Sequence, residues 1–294
     1  MITRIARKGL LALLLSLLCL TATGCGSADP VTDPPEEASR GPEFHIRMLK
    51  IGKADTAFLY MEGGSEAVVI DVGEDTDGPE IVEKLKKHGI TKISHLIITH
   101  YDKDHVGGAA YVLECFPVGQ VIQPDYSGSG VRFEVYREAA QRYAEEICTV
   151  SEYMEFSVGP LSFAIYPEND PENQYFKRDD ENNRSLVTMV TYAGKKFLFT
   201  GDIEGKRIER LVSSGVDLSC DWMKIPHHGR FNDQTATLLE AAGAKYGVIC
   251  CSKKNPADEE TLDAIQQAGM TCWLTAEGDV TFACDGEGIS GKQK

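Results

Sequence analysis

The sequence predicts a single α/β domain in which two β-sheets carry helices on their outer faces. Three observations support this class: the composition is that of a folded protein, short strand-like runs recur along the chain, and helical runs lie between them. With 294 residues, 42% hydrophobic and 26% charged, the chain is not collagen-like, a coiled coil or wholly disordered. Because no internal repeat or break interrupts the alternation, we expect one layered domain over residues 43–294.

The strands are predicted from runs rich in Val, Ile, Phe and Tyr, several of which alternate apolar with polar residues. A further short strand is expected directly before the adjacent histidines His227 and His228. About ten short strands with helices between them indicate two sheets. The predicted strands cover residues 44–51, 57–60, 67–72, 94–99, 118–123, 187–192, 197–200, 246–251, 272–275 and 280–283.

Three helices are predicted from apolar residues at helical spacing. The first covers residues 79–88, begins with proline and stops at a glycine. The second rests on apolar positions between residues 133 and 147. The third covers residues 259–268, with Asp258 as its N-cap. The polar stretch 168–184 is expected to be a surface loop beside the functional site.

The N-terminal residues predict a targeting signal and a spacer. Residues 1–24 combine basic residues, a short apolar run and small residues, the pattern of a secretory signal. Cys25 follows Ala-Thr-Gly, which resembles the bacterial lipobox, whose cysteine is lipidated and becomes the new N-terminus. Residues 25–42 are proline-rich and polar and predict a flexible tether. We therefore expect a lipid-anchored protein on the extracellular face of the bacterial membrane; an ordinary cleaved signal peptide is the alternative.

The charge balance and the cysteines exclude several classes of protein. Lys and Arg number 30 against 45 Asp and Glu, a net charge of −15, so the surface does not favour nucleic-acid binding by counterion release alone. Removing the basic leader makes the chain more acidic still.

Of nine cysteines, seven remain after Cys19 and Cys25, and none has the spacing of a zinc ribbon or a redox pair. Cys250 and Cys251 end an apolar run and are expected to be core residues.

The strongest functional signal lies directly after the predicted strand 94–99. Residues 99–108 read Thr-His-Tyr-Asp-Lys-Asp-His-Val-Gly-Gly, which places His100, Asp102, Asp104 and His105 in one tight loop. A metal cation needs several lone pairs converging within about 2.0–2.6 Å, and one loop of imidazoles and carboxylates supplies them. A solvated polar turn is the alternative, but four such side chains in six residues favour a metal site.

Three weaker clusters also follow predicted strands. Asp202 ends Phe-Thr-Gly-Asp, and Asp71 ends a buried run as Ile-Asp-Val-Gly, where a supporting role is favoured over that of a ligand. His227 and His228 lie in Ile-Pro-His-His-Gly. By themselves these clusters fit either functional groups or ordinary turns.

Together, the motifs His-x-Asp-x-Asp-His-x-Gly-Gly, Thr-Gly-Asp and Pro-His-His-Gly resemble the metallo-β-lactamase superfamily. Within it, the chain resembles the hydrolase domain at the C-terminus of the ComEC-type DNA-internalisation competence protein, over most of residues 44–289. The opening Ile-Gly-Lys-Ala-Asp-Thr-Ala at 51–57 and the Asn-Arg-Ser-Leu-Val run before Thr-Gly-Asp take part in this resemblance. It implies a four-layer αβ/βα sandwich with two mixed sheets flanked by helices, and a site at one sheet edge.

The resemblance also implies roles for individual residues. His100 and Asp102 would bind one metal, Asp104 and His105 a second, and Asp202 would bridge the two. His227 is favoured as the last ligand, with His228 close enough to donate protons. The expected catalytic residues are Asp104, Asp202 and His228, and the metal ligands are His100, Asp102, Asp104, His105, Asp202 and His227.

The first metal site departs from the superfamily pattern. Its third histidine is missing, because no histidine lies between residues 106 and 226; Asn182, Asn183 or Ser185 is a candidate for that position. One or two divalent ions are therefore expected, Zn²⁺ or Mn²⁺, since an oxygen-rich site favours Mn²⁺ more than a three-histidine site does.

Three functions fit these observations. The first is an extracellular, membrane-tethered phosphodiesterase or nuclease that cleaves DNA or RNA with a metal-activated hydroxide, because a divalent ion lowers the pKa of bound water from about 15.7 toward 7. The second is a hydrolase of the same fold that acts on a cell-wall phosphodiester, a phosphorylcholine ester or a lactone. The third is a non-catalytic surface binding lipoprotein. No protein partner is inferred.

Overall fold

The computed structural model describes residues 41–168 and 180–294 and arranges them as two stacked β-sheets between two layers of helices. The described residues form one continuous unit of contacts. The predicted class, α/β with two mixed sheets flanked by helices, is confirmed. The predicted leader 1–24, Cys25 and the tether up to residue 40 lie outside the described residues.

The first sheet has eight strands and runs from an antiparallel half into a parallel half. Its order is β15-β14-β1-β2-β3-β4-β5-β6, and β3 to β6 are parallel neighbours. The strands are β1 (Phe44–Met48), β2 (Ala57–Met61), β3 (Glu66–Ile70), β4 (Lys92–Ile97), β5 (Val118–Pro124), β6 (Ala144–Val150), β14 (Val280–Cys284) and β15 (Ile289–Gln293).

The second sheet has seven strands in the order β13-β12-β11-β10-β9-β8-β7. Strands β10 to β13 are parallel neighbours, and β7 to β10 are antiparallel. The strands are β7 (Met154–Val158), β8 (Leu161–Tyr166), β9 (Val187–Tyr192), β10 (Lys195–Phe199), β11 (Trp222–Lys224), β12 (Tyr246–Ile249) and β13 (Thr271–Leu274).

Helices cover the outer face of each sheet. Helices α1, α3 and α4 share an apolar core with the first sheet, and α5, α6 and α7 share one with the second. Within the described residues, no helix is both long and apolar enough to cross a membrane. The helices are α1 (Gly78–Lys87), α2 (Lys103–Val106), α3 (Ala109–Cys115), α4 (Gly130–Tyr143), α5 (Gly205–Ser213), α6 (Thr235–Ala242) and α7 (Glu259–Gln267).

A third apolar core lies between the two sheets. Phe44 and Phe282 from the first sheet meet Phe163 and Trp222 from the second, and all four are at most 1% exposed. The Trp222 and Phe282 rings pack edge to face with centroids 5.3 Å apart. Removal of this apolar surface from water holds the sheets together.

The sheet topology brings the chain's polar motifs to one edge. Strands β3 and β4 run parallel, as do β10 and β11, so the segments after their carboxyl ends emerge on the same side of their sheets. Asp71 follows β3, the His100 loop follows β4, Asp202 follows β10, and the histidine pair at 227–228 follows β11.

Every predicted strand overlaps an observed one, but four strands were not predicted. The hairpin β7–β8 carried a usable signal, because Leu161, Phe163 and Ile165 alternate with more exposed residues. Strands β6 and β15 lie at sheet edges, where the burial pattern that marks a strand is weak.

The predicted helix between residues 133 and 147 is correct only as far as Tyr143. Residue Ile147 belongs to strand β6 and is 37% exposed, so its spacing from Tyr143 does not mark a helix face. The helices predicted at 79–88 and 259–268 are confirmed with small shifts at their ends, and Asp258 occupies the N-cap position without a side-chain capping bond.

The stretch 168–184 is not a surface loop throughout. Residues 169–179 lie outside the described part of the chain, but residues 182–184 form a 3-10 turn in which Asn183 and Arg184 are buried. The sequence-based expectation for Cys250 and Cys251 is confirmed, since both are at most 1% exposed.

Candidate metal centre

Three imidazole rings converge at the sheet edge, and their Nε2 atoms point toward one another and toward two carboxylates. His100 and His105 are fully buried and His228 is 4% exposed. The Nε2 atom of each ring is buried and meets the geometry of a hydrogen bond with none of the described residues, although those of His105 and His228 lie close to carboxylate oxygens. A buried nitrogen without a partner is costly unless something else satisfies it. The three rings therefore present the kind of donor that a metal cation takes.

The opposite nitrogen, Nδ1, of each ring is held by the surrounding protein. The Nδ1 atom of His105 lies 2.8 Å from Asp71 Oδ2. That of His228 lies 3.2 Å from the carbonyl oxygen of Cys250, and that of His100 lies 3.0 Å from the hydroxyl of the preceding threonine. Such contacts fix the orientation of each ring and leave Nε2 as the ligand atom.

Two carboxylates complete the group. Asp202 Oδ2 lies 3.2 Å from His105 Nε2 and 3.0 Å from His228 Nε2. Asp104 Oδ2 lies 3.2 Å from His228 Nε2. Ligand atoms of His100, His105 and Asp202 all lie within 4.8 Å of one another. We call His100, Asp104, His105, Asp202 and His228 the His–Asp cluster; its nitrogen and oxygen donors fit a divalent transition-metal ion.

Asp71 supports the cluster, as its sequence position suggested. Its Oδ2 contacts His105, and its Oδ1 accepts a 2.8 Å hydrogen bond from the Thr99 N–H. Burial raises the pKa of the Asp71 carboxyl, while His105 beside it acts in the opposite direction. Asp71 is thus a partner of a ring rather than part of the cluster.

A buried lysine lies behind Asp202. Lys224 is 2% exposed, and its ammonium donates to Gly201 O at 2.8 Å and to Asp202 Oδ1 at 3.0 Å. It also contacts Asp55 Oδ2. Because Lys224 takes one oxygen of Asp202, the other oxygen faces His105 and His228. The surrounding carboxylates outweigh burial and raise the pKa of Lys224, which keeps it charged.

The three rings differ in ionisation, because nearby carboxylates outweigh burial at His105 and His228 but not at His100. Burial lowers the pKa of His100 well below its ordinary value, so this ring is neutral. Burial acts in the same direction on His105, but Asp202 and Asp71 outweigh it and raise that pKa well above the ordinary value. Asp202 and Asp104 likewise raise the pKa of His228 to about 10. The field that raises these values also attracts a divalent cation.

Comparison with known proteins agrees with this geometry. Residues 54–253 match the metallo-beta-lactamase superfamily. The chain belongs to this superfamily. Its fold is also that of the metallo-beta-lactamase fold protein YhfI from Bacillus subtilis, with a TM-score of 0.52 at 10% identity over 80% of this chain and 96% of that one.

Two relatives are a ComE operon protein and a recombination protein. ComE operon protein 3 of Bacillus subtilis (strain 168) is 24% identical over 229 residues, which are 72% of this chain and 29% of that protein. Recombination protein 2 of Haemophilus influenzae is 24% identical over 220 residues, 73% of this chain and 25% of that protein. The chain therefore matches less than a third of the length of either relative.

The two adjacent histidines contact different carboxylates in the structure. His228 belongs to the His–Asp cluster, whereas His227, favoured as a ligand from the sequence, points elsewhere. His227 Nδ1 lies 3.0 Å from Glu204 Oε1, and its side chain is 28% exposed. The side chains of these adjacent residues point in different directions, so only one of them contacts the cluster. Of the two adjacent histidines, the geometry supports His228 as the metal ligand.

Asp102 stands at the rim of the cluster rather than inside it. Its Oδ2 lies 3.8 Å from His100 Nε2, and its side chain is 46% exposed. Burial and the nearby Asp104 raise the pKa of Asp102. Apart from His227, Asp102 makes the loosest contact with the cluster among the expected ligands.

Of the three candidates for the missing superfamily histidine, only Asn182 has a side-chain oxygen that accepts no hydrogen bond from the described residues. Ser185 Oγ accepts from the Asp202 N–H at 3.1 Å and donates to the Asn182 carbonyl at 2.7 Å. Asn183 Oδ1 accepts from the Glu204 N–H at 2.9 Å. The Oδ1 atom of Asn182 is buried without a hydrogen-bond partner. The amide nitrogen of Asn182 lies beside Glu204 and His227, so its unsatisfied oxygen is close to these two residues.

Backbone strain is concentrated at this centre. Four non-glycine residues have positive φ among those described, and three of them are Asp71, His227 and His228. Such a conformation costs about 1–2 kcal/mol for an ordinary residue. Gly201 also has a positive φ, and a Cβ there would meet Ser185 Cβ at 2.6 Å. The residues in these turns do not favour such backbone conformations by themselves, so contacts with the rest of the fold must hold them.

Three residues at the centre were assigned no role from the sequence: Lys53, Asp55 and Lys224. Lys224 did carry a signal, because a charged residue interrupts the apolar strand Trp-Met-Lys-Ile, and buried lysines require partners. Lys53 and Asp55 lie in the Ile-Gly-Lys-Ala-Asp-Thr-Ala segment that the resemblance included. Their role follows only from the contacts across the fold.

A cleft of about 900 Å³ is lined in part by His227, whereas the residues of the His–Asp cluster do not line it. Phe231 is 47% exposed at its wall. Acidic side chains outnumber basic ones in its lining, which limits how closely a polyanion can pack there. The acidic residues are Asp180, Glu204, Asp233 and Asp258, and the basic ones are Lys206 and Arg230.

Proposed function

We propose that this protein is a metal-dependent phosphodiesterase that cleaves DNA or RNA outside the cell. We further propose that a lipid on Cys25 and the tether 25–42 hold its domain, residues 43–294, at the extracellular face of the membrane. The hydrolase part of the proposal is supported by one observation above the others. Three buried imidazoles present Nε2 atoms that make no well-formed hydrogen bond with the described residues, and two carboxylates lie beside them.

The chain's own residues suit hydrolysis. A divalent ion in the His–Asp cluster would supply Lewis acidity, which polarises a phosphoryl oxygen and lowers the pKa of water. Asp71 orients His105 through Nδ1, and Lys224 fixes Asp202 so that one carboxylate oxygen remains available. The buried carboxylates give a site in which charge interactions are stronger than in water.

The names of two relatives and a lysine beside the cluster support a phosphodiester as the substrate. Two relatives bear the names ComE operon protein 3 and Recombination protein 2, and DNA is the polymer that recombination concerns. Lys53 adds a partly exposed ammonium group next to Asp104, which suits an anionic substrate.

A second candidate is a smaller, non-nucleic-acid phosphodiester. It is favoured by the cleft, in which four carboxylates face two basic side chains, and by the net charge of −15. A long polyanion gains little from such a surface. A single phosphodiester group needs only the cluster and its immediate surroundings.

A substrate panel tests the proposal. Protein prepared without its leader and loaded with Mn²⁺ or Zn²⁺ should cleave bis-p-nitrophenyl phosphate and linear single-stranded DNA, with little action on a thioester or a lactone. Cleavage of the small phosphodiester but not DNA supports the second candidate. Opening of a lactone without phosphodiester cleavage would overturn both, and no turnover with tightly bound metal would favour a binding protein.

Asp202→Ala is expected to remove activity while leaving the fold intact. The change deletes the carboxylate that contacts both His105 and His228. Loss of at least about 10³-fold in kcat, with an unchanged circular-dichroism spectrum, is the predicted result. Asp263→Ala, at an exposed position of α7, is the matched control and should keep full activity. A metal-replete and active Asp202→Ala protein contradicts the assignment.

A further inference from the structure

The loop between β1 and β2 brings a second lysine to the centre. Lys53 lies in this loop, 32% of its side chain is exposed, and its ammonium contacts Asp104 Oδ2. His228 Nε2 approaches the same carboxylate oxygen at 3.2 Å, and the His228 side chain is 4% exposed. The Asp104 oxygen thus lies between a buried ring and a lysine that reaches solvent.

The position of Lys53 is set by backbone hydrogen bonds to the metal loop. The Asp55 N–H donates to the Asp104 carbonyl at 3.0 Å, and the Gly73 N–H donates to the Asp55 carbonyl at 3.0 Å. Gly52, with φ of +72°, forms the turn directly before Lys53. The loop therefore holds the base of the Lys53 side chain next to Asp104 before any substrate arrives.

The two lysines at the centre differ in their free hydrogen-bonding capacity. An ammonium group has three donors. Those of Lys224 are taken by Gly201 O, Asp202 Oδ1 and Asp55 Oδ2. In the described structure, Lys53 has one acidic partner, Asp104, so donors remain for an acceptor that comes from solvent. Lys224 is an internal counterion, whereas Lys53 can contact a ligand.

We propose that Lys53 anchors the substrate by binding a non-bridging oxygen of its phosphate group at the mouth of the His–Asp cluster. The inference rests on the proposed phosphodiesterase function. The feature of the substrate that the site selects is its negative charge. A phosphodiester carries a formal negative charge that a lactone or a simple ester lacks. Lys53 therefore makes the centre selective for anionic substrates, and a neutral ester gains nothing from it.

Binding of inorganic phosphate to the Mn²⁺-loaded protein, measured by calorimetry, tests this inference without relying on turnover. Lys53→Met is expected to weaken phosphate binding at least about tenfold, which is about 1.4 kcal/mol. Lys53→Arg keeps the positive charge and should retain most of the affinity. Lys50→Met, an exposed lysine of the same loop, is the matched control and should bind phosphate as the unaltered protein does.

Kinetics with two substrates give the second readout. For bis-p-nitrophenyl phosphate, Lys53→Met should raise KM about tenfold, and its metal content and melting temperature should stay unchanged. The rate with the neutral ester p-nitrophenyl acetate should not change.

The outcomes separate the inference from the proposed function. Unchanged phosphate affinity in Lys53→Met, or loss of its metal, would overturn the inference while leaving phosphodiester cleavage by the unaltered protein intact. An unaltered protein that cleaves no phosphodiester overturns the proposed function. If it still binds phosphate through Lys53, the anion site itself is supported.

Discussion

At the scale of single residues, the centre depends on which nitrogen of each ring is left free. His105 and His228 have Nδ1 held by Asp71 and the Cys250 carbonyl, so Nε2 faces the carboxylates. His227, one residue away, contacts Glu204 instead. Two neighbouring histidines thus have different surroundings, and only one is placed to bind a metal with Asp104 and Asp202.

Lys224 is a positive charge that helps make burial of the Asp202 and Asp55 carboxylates possible. Asp202 and Asp55 are at most 4% exposed, and both contact this one ammonium group. Burial opposes ionisation of Asp55, but Lys224 and the neighbouring histidines outweigh it and lower its pKa to about 2. For Asp202, His105 and His228 lower the pKa more than Lys224 does, and together these groups keep both carboxylates charged where an isolated charge would be expensive.

Lys224→Met is predicted to destabilise the metal-free protein by about 3–5 kcal/mol, because it leaves two buried carboxylates without their cation. Urea unfolding of protein stripped with a chelator measures the change. Lys292→Met, at an exposed lysine of β15, is the control and should change the free energy of unfolding by less than about 0.5 kcal/mol. A Lys224→Met protein as stable as the control would contradict the role of Lys224 as counterion.

At the scale of secondary-structure elements, the site is built from turns that follow strands, and other contacts hold those strands in place. Asp279 directly precedes β14 and accepts hydrogen bonds from Arg47 of β1 at 3.0 Å and from Lys84 of α1 at 2.7 Å. It also accepts from the Lys50 N–H at 2.8 Å. One carboxylate therefore ties together a helix, two strands and the start of the Lys53 loop.

Asp279 also predicts a pH dependence of stability. Burial opposes its ionisation, but the hydrogen bonds from Lys50 and Lys84 outweigh it and lower the pKa below the ordinary 3.8. A carboxyl whose pKa is lower in the folded state stabilises the protein above the unfolded value, and this contribution is lost as the pH falls through the folded value.

Asp279→Asn should therefore lower the melting temperature at pH 7 by at least about 2–4 °C, the shift that about 1 kcal/mol gives in a domain of this size. The difference from the unaltered protein should shrink as the pH falls below 3.8. Thermal melts at several pH values check this, with the exposed Asp263→Asn as control. A difference that stays constant down to pH 2 would show that ionisation of Asp279 is not responsible.

At the scale of the whole molecule, two sheets are needed to assemble one centre. The first sheet supplies His100, Asp104 and His105 through the segments after β4, and the second supplies Asp202 and His228 after β10 and β11. The apolar layer between the sheets sets their separation and therefore the distances between ligand atoms. A change in that layer would be felt at the metal centre even without contact to it.

Most of the fold and the members of the centre could be predicted from the sequence, because strand patterns and the ligand motifs are local. The choice between His227 and His228 could not, since two adjacent residues share one motif and differ only in backbone direction. Lys53 and Asp55 were missed for a related reason: their partner Asp104 and the buried Lys224 lie about 50 and 170 residues away, joined only by the fold. Edge strand β6 lacked the alternation that identifies a buried strand.

Metal content, measured by mass spectrometry on protein purified without chelator, tests the central claim that the His–Asp cluster holds a divalent cation. At least one equivalent of Zn²⁺ or Mn²⁺ is expected in the unaltered protein, retained in His227→Ala and lost in His228→Ala. An unaltered protein that neither contains nor takes up metal would contradict the metal site, as would full metal content in His228→Ala together with its loss in His227→Ala.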